Sequence, residues 1–171
     1  MGGFQRDEAF EMAFRDLHPR ARRLALRITG EPAVADEVAA EALARAFADW
    51  KRLRTFDHLD AWVLRVTTNL ALHVAMRRKV VLQPPPALEP HDGVAVRMGL
   101  VAALRRLPTR QREAVALRYL ADMSEDDVAR SLGVSSGTVK QHVHRGLASL
   151  RGLLSEDEPE IEEVARVSIA H

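Results

Sequence analysis

The sequence lacks cysteine altogether, has a single tyrosine, and draws almost all of its 25 basic side chains from arginine, with lysine only at positions 51, 79 and 140. Without a thiol there can be no disulfide, thiolate zinc site, iron–sulfur cluster or cysteine nucleophile. No run comes near the roughly 20 apolar residues that a membrane helix needs, so membrane insertion is not expected. The N-terminus, with Arg6, Asp7, Glu8 and Glu11, lacks the basic-then-apolar order of a signal peptide, and a cytoplasmic protein is expected. No segment sustains period-two alternation, which argues against strands. No catalytic constellation stands out either. His142 and His144 lie two residues apart and would point to different sides of a helix, whereas histidines that share a metal on one helix stand three or four apart. No enzyme activity, cofactor or metal is expected.

What is present suffices for a core: 47% of the residues are hydrophobic and 29% charged, the proportions of a globular chain. The net charge of +1 conceals a division. Residues 1–79 carry +3, 80–96 carry −2, 97–154 carry +5 and 155–171 carry −5. A basic segment beside an acidic tail suits nucleic-acid binding paired with an interaction tail, although a solvated charged surface gives the same balance.

The apolar spacing predicts an all-α protein. Phe10, Phe14, Leu17, Ala21, Leu24 and Ile28 form one helical stripe, which Gly30 and Pro32 end. A second helix begins near Pro32, with Val38, Ala42, Ala46 and Trp50 at spacings of four. Lys51 to Asp60 reads as a loop. A third helix runs from about Asp60 to Lys79, with Leu59, Val63, Val66, Leu70 and Val74 on one face and Arg65, Thr68, Leu72, Met76 and Lys79 on the other. Four prolines between Pro84 and Pro90 then forbid helix and central strand alike. Helical patterning returns from about Val94 to Arg106, and again beyond Pro108. The expected organisation is two small helical domains, 1–79 and 97–154, joined by a flexible Pro-rich linker, 80–96, and followed by an acidic tail, 155–171.

Residues 124–154 carry the most specific local signal. Ser124 stands three residues before Asp127 and can cap a helix whose first turn is acidic. Gly133-Val134-Ser135 then makes a turn: glycine supplies the left-handed conformation, valine plugs the core, and Ser135 caps a further helix. In that helix Val139, Val143, Leu147, Leu150 and Leu154 share one side, leaving Gly137, Thr138, Gln141, His144 and Arg145 outward, with Lys140 and Arg151 at the margins. Arginine can present two donors to guanine, glutamine can pair with adenine, and lysine can meet a phosphate. The pattern is a helix-turn-helix whose second helix suits the major groove.

Together these motifs resemble a known family. Leu107-Pro108-Thr109-Arg110-Gln111-Arg112-Glu113, Leu117 to Leu120, Ser124 to Ser135, and Gly137-Thr138-Val139-Lys140 with His144-Arg145 are similar to region four of an extracytoplasmic-function sigma factor of bacterial RNA polymerase, of the group IV, actinobacterial SigE-like kind. His18-Pro19-Arg20, Leu24 to Gly30, Asp36-Glu37 with Glu41, Ala61-Trp62-Val63, and Asn69 to Leu72 with Arg77-Arg78-Lys79 resemble region two. Two departures stand out: Ala40 where the family usually has glutamine, and His73 where it often has aspartate.

The resemblance implies a transcription initiation factor that binds core RNA polymerase at its clamp helices and flap, and promoter DNA at two elements. Asp36, Glu37 and Glu41 would dock on the clamp helices, although a solvated helix face explains the same acids. Asp57 and His58 in the loop from Thr55, with Arg65, Asn69, Arg77, Arg78 and Lys79, would engage the minus-10 element. Ser136, Gly137, Thr138, Lys140, Gln141, His144 and Arg145 would engage the minus-35 element. Trp62 reads either as a stacking platform for an unstacked base or as a core residue beside Leu59 and Val66. The linker would thread toward the polymerase active centre, and an anti-sigma factor is a possible further partner. The alternatives are a stand-alone helix-turn-helix regulator and a nucleic-acid-processing enzyme. The tail reads as a solubilising segment, as a short helix from Glu160 to Ile169, or as a tethered competitor for the basic face.

Overall fold

The computed structural model describes residues 8–81 and 92–156, and it consists of helices with no strand among the described residues. In chain order they are α1 (Glu8–Thr29), α2 (Pro32–Ala48), α3 (Trp50–Leu53), α4 (Leu59–Val81), α5 (Asp92–Arg106), α6 (Thr109–Tyr119), α7 (Glu125–Leu132) and α8 (Ser136–Glu156). The two family-sized groups of helices, α1–α4 and α5–α8, fold as the all-α reading requires.

The stripe expected on α1 is buried from Leu17 through Ala21 and Leu24 to Ile28. Its N-terminal end differs, because Phe14 remains 39% exposed and joins a surface aromatic cluster. Phe10 packs on Phe47 at 4.7 Å and edge-on against buried Trp50 at 5.2 Å, while Phe14 stacks on His18. On α2 the buried side is mostly alanine, with Ala35, Ala39, Ala42 and Ala46 beside Val34, Val38 and Leu43, so α1 can lie close along it. The segment read as a loop starts with a further helical turn. The N–H of Asp49 bonds back to Arg45 and Phe47, and α3 then turns the chain and buries Trp50 and Leu53. Apolar spacing could not reveal one turn of helix, which is too short to show a period.

The two faces read for α4 are not one buried and one free. Ala61, Val63, Leu64, Thr67, Thr68, Ala71 and Leu72 are all buried, because α1 and α2 cover one side and α5, α6 and α7 cover another. A contiguous apolar cluster runs from Leu24 and Ile28 through Leu64 and Leu72 to Leu104, Leu117, Val128 and Val139. A second cluster, Leu17, Leu43, Leu53 and Val63, lies within the N-terminal group with Trp62 against it. The segment read as a flexible linker is helical at both ends, since α4 runs to Val81 and α5 starts at Asp92. The prolines that forbid helix lie within 82–91, outside the described residues, and nothing beyond Pro90 forbids it.

In the C-terminal group, α8 lies across α6 and α7. Its closest approach is Gly146, where a Cβ would meet Val115 Cγ2 at 2.7 Å and the Gln111 carbonyl at 3.4 Å. Gly152, one face away, has open space around it. Gly146→Leu should therefore destabilise the protein by about 1–3 kcal/mol through overpacking. Gly152→Ala should stabilise it by about 0.5–1 kcal/mol through reduced backbone entropy. Urea denaturation of the two variants beside the parent measures both signs.

Candidate nucleic-acid interface

The helix-turn-helix is set by local bonds that its sequence announces. Ser124 Oγ accepts the Asp127 N–H at 3.1 Å and donates to the Asp127 carboxylate at 2.6 Å, so α7 starts on a capped turn rich in acid, where the helix dipole favours negative charge. Asp127 also pairs with Arg130. The Ser124 hydroxyl, and after it Arg130, holds the Asp127 carboxyl below its ordinary value of 3.8 against an opposing effect of burial. Gly133, at φ +66°, closes α7 in the left-handed region, and Val134 N–H bonds to Ala129 O at 3.0 Å. Ser135 Oγ then accepts the Thr138 N–H at 3.1 Å and starts α8.

Val139, Gly146 and Leu150 are the buried side of α8. Gly137, Lys140, Gln141, His144 and Arg145 are exposed together on its outward face. The other two residues expected at the minus-35 element are half-buried and locally bonded: Ser136 donates to Asp126 at 2.6 Å, and the Thr138 hydroxyl meets that of Ser135 at 2.9 Å. Lys140 Nζ lies 3.5 Å from Glu125, an exposed pairing of little strength. The outward face is thus a basic and amide-bearing helix surface, and a major groove admits an α-helix.

The residues expected at the minus-10 element fall into three places. Asp57 is exposed and His58 half-buried on the turn before α4, where they line a cleft of about 310 Å³ with Thr55, Phe56, Trp62, Arg130 and Ser131. Trp62 is half-buried, packs against the N-terminal core cluster and also lines this cleft. Arg65 and Asn69 point at the C-terminal group. Arg65 Nε lies 3.4 Å from Glu113 and its Nη1 donates to Ser131 O at 3.2 Å, while Asn69 Nδ2 donates to Glu113 at 3.4 Å. Arg77 is exposed farther along, and with Asn69 and His73 it continues the Arg65 line at spacings of four. Arg78 and Lys79 are on the last turns of α4, but their side chains lie outside the described residues.

On α2, Glu37, Ala40, Glu41, Ala44 and Ala48 form an exposed strip of acids and small residues. Asp36 is tied to Arg22 of α1 at 2.5 Å, and Glu41 to Arg45 at 2.8 Å, so Glu37 is the acid of the three most open to a partner. Sequence reasoning missed Glu113, which is only 4% exposed and is reached by Arg65, Asn69 and, at 3.5 Å, Arg110. Its i,i+3 spacing from Arg110 was the one visible hint.

Comparison with known proteins agrees with this layout. Two family models match, "Sigma-70 region 2" over residues 13–80 and "Sigma-70, region 4" over residues 97–150. The chain is 34% identical over 148 residues to the RNA polymerase sigma-E factor of Streptomyces coelicolor, a match covering 83% of this chain and 84% of that protein. It is 31% identical over 151 residues to the ECF RNA polymerase sigma factor SigM of Mycobacterium tuberculosis, covering 85% and 77%. The fold is shared with CnrH in its complex with the cytosolic domain of CnrY, at a TM-score of 0.55 and 21% identity over 90% of this chain and 92% of that one. It is also shared with the sigma factor RpoE in complex with the anti-sigma factor NepR from Bartonella quintana, at a TM-score of 0.52 and 22% identity over 87% and 98%.

The cap at Ser124 generates a test. A carboxyl whose pKa is lowered by folding contributes stability above its unfolded pKa and loses it as pH falls through the folded one. Ser124→Ala should return the Asp127 pKa toward 3.8 and cost about 1 kcal/mol at neutral pH, with the deficit narrowing in acid. Carboxyl chemical shifts and thermal unfolding between neutral pH and pH 3 measure the two effects.

Proposed function

We propose, on the premise that this chain belongs to the sigma-70 family of RNA polymerase sigma factors and to its extracytoplasmic-function group, a division of promoter recognition between its two helical units. The protein is an alternative sigma factor that binds core RNA polymerase and directs it to minus-35 and minus-10 promoter elements. Its contribution is recognition and help in melting, and the phosphodiester chemistry is the polymerase's own.

One observation carries the assignment for the C-terminal unit: Gly137, Lys140, Gln141, His144 and Arg145 are exposed together on a helix anchored by Val139 and Leu150. That face enters the major groove of the minus-35 element, with Ser136 and Thr138 fixing the start of the helix near the phosphates. Gln141 and Arg145 read base edges and Lys140 meets the backbone. In the N-terminal unit the cleft at Asp57 and His58 receives an unstacked base of the minus-10 element beside Trp62. Arg65, Asn69, Arg77, Arg78 and Lys79 track the strand's phosphates. Glu37, with Asp36 and Glu41, docks on the clamp helices across the alanines of the α2 strip, and the absence of a longer side chain at Ala40 lets the partner helix come close.

The remaining roles follow from the family. The division into a 1–79 unit, an 80–96 linker, a 97–154 unit and a 155–171 tail is kept in order, with its bounds moved to the helix ends: the N-terminal unit runs to Val81, the C-terminal unit runs from Asp92 to Glu156, and the linker narrows to 82–91. Binding the polymerase on DNA places it in the cytoplasm. The structural relative RpoE, in complex with the anti-sigma factor NepR, supports an anti-sigma factor as a further partner.

Run-off transcription with purified core polymerase on genomic templates tests this reading. Initiation at defined promoters is expected only when the chain is added. Failure to co-purify with core, together with no promoter-dependent transcript, would overturn it, and tight binding to duplex without polymerase would favour a stand-alone regulator. Gln141→Ala and Arg145→Ala should each weaken minus-35 recognition by about 1–3 kcal/mol with relaxed sequence preference, and Lys140→Ala should weaken binding evenly across sequences. Wild-type affinity and preference in all three would place the recognition face elsewhere.

A further inference from the structure

We propose that the acidic segment that follows α8, residues 157–171, folds back on the outward face of that helix and competes there with DNA phosphate. The segment lies outside the described residues. The proposal rests on the charges that α8 leaves unpaired and on the sequence that comes next, and on the proposed function for the reading of that face as the minus-35 surface.

Elsewhere in the chain arginines pair with acids three or four residues away: Arg20 with Asp16, Arg45 with Glu41, Arg52 with Asp49, Arg110 with Glu113 and Arg130 with Asp127. α8 departs from this habit. From Ser136 to Ser155 it carries Lys140, Arg145, Arg151 and two histidines, and no acid at all. Among the described residues Arg145 and Arg151 make no ion pair, and Lys140 has Glu125 of α7 alone, at 3.5 Å. Lys140, Gln141, His144, Arg145, Ala148 and Arg151 are exposed at helical spacing, so the cationic face runs unbroken to the last turns of the helix. The sequence then reverses sign. Glu156, Asp157, Glu158, Glu160, Glu162 and Glu163 put six acids into eight residues.

Those acids are within reach of the face. Arg151 and Arg145 stand five and eleven residues before Glu156, roughly 8 and 17 Å along the helix axis. Residues 157–163 in extended form span about 23 Å, enough to lay carboxylates beside both guanidiniums. Pro159 lacks the backbone N–H that would continue α8 through it. Each exposed carboxylate–guanidinium pair is weak, but the tether holds the acids at an effective concentration on the order of millimolar. A carboxylate takes the place of a phosphate and reads no base. The segment therefore lowers affinity for specific and random duplex by the same factor and leaves sequence preference unchanged. Salt limits its effect, because the Debye length shrinks to about 8 Å at physiological ionic strength.

The test uses the full chain and asks for contact and competition separately. Because the chain has no cysteine, Ala165→Cys carries a single nitroxide label. Backbone amide signals from Gln141 to Gly152 should broaden, and the broadening should fall on addition of random-sequence duplex and on replacement of the acids by their amides (Asp157→Asn, Glu158→Gln, Glu160→Gln, Glu162→Gln and Glu163→Gln), which keeps the tether's length. Equal broadening in the neutralised chain would overturn the contact. In parallel, fluorescence anisotropy compares the parent, the neutralised chain and a chain ending at Glu156, on a random-sequence duplex and on a minus-35 duplex from a run-off promoter. Both variants should bind both duplexes roughly threefold to tenfold more tightly at low salt, with the gap closing as salt rises. Equal affinity of parent and variants at low salt, or a gain in the shortened chain alone, would overturn the competition. If the random-duplex gain and the loss of broadening hold while no promoter-dependent transcript is found, the contact stands and the minus-35 reading of the face fails.

Discussion

Thr67 and Thr68 are completely buried halfway along α4, and each donates its hydroxyl to the carbonyl four residues earlier, at 2.8 and 2.9 Å. Those bonds allow two polar residues to sit where helices crowd the chain from more than one direction, since an unsatisfied hydroxyl there would be costly. The rest of the molecule depends on this doubly covered helix. The N-terminal helices pack on one side of α4 and the helix-turn-helix unit on another, and among the described residues the line from Arg65 through Asn69 and His73 to Arg77 is the polar strip proposed above for recognition. Where the C-terminal unit settles, it covers the first half of that line.

The abundance of arginine acquires a structural meaning in this light. Arg27, Arg65, Arg110, Arg112 and Arg118 all donate to backbone carbonyls at helix ends and turns, the last of them to Met123 O. Arg27 holds a carbonyl and a carboxylate at once, donating from one Nη to Leu120 O and to Asp122. The +5 of the C-terminal unit is thus an overestimate of what DNA meets. Several of those charges, Arg110, Arg112 and Arg118 among them, bind the protein to itself.

Much of this was legible in the sequence because its signals are local. Ser124, Gly133 and Ser135 act within four residues of themselves, so the helix-turn-helix and the outward residues of α8 followed directly, and Gly30 and Pro32 likewise end one helix and begin the next where they stand. The paired motifs made both units recognisable. What escaped was nonlocal. Periodicity assigns a helix one buried side, and it could not show that Thr68 and Leu72 are buried by a second layer of neighbours. Asn69 and Glu113 lie 44 residues apart, and Arg65 and Ser131 lie 66 apart. Neither pair leaves a trace in spacing, because each partner alone reads as an ordinary surface charge or amide.

The narrowness of the uncovered line on α4 bears on how such a protein can acquire new promoter preferences. Exposed positions free of caps and ion pairs tolerate substitution within about 0.5 kcal/mol, whereas buried ones do not. On α4 that freedom is confined to a few residues, of which Arg65 also helps to hold the two units together. On α8 it extends over Gln141, His144 and Arg145, which are all exposed. On the proposed assignment, substitution on the α8 face carries little structural consequence, while substitution at Arg65 or Asn69 also alters a contact with Glu113. A lineage of such proteins would drift readily at one end of the promoter and slowly at the other.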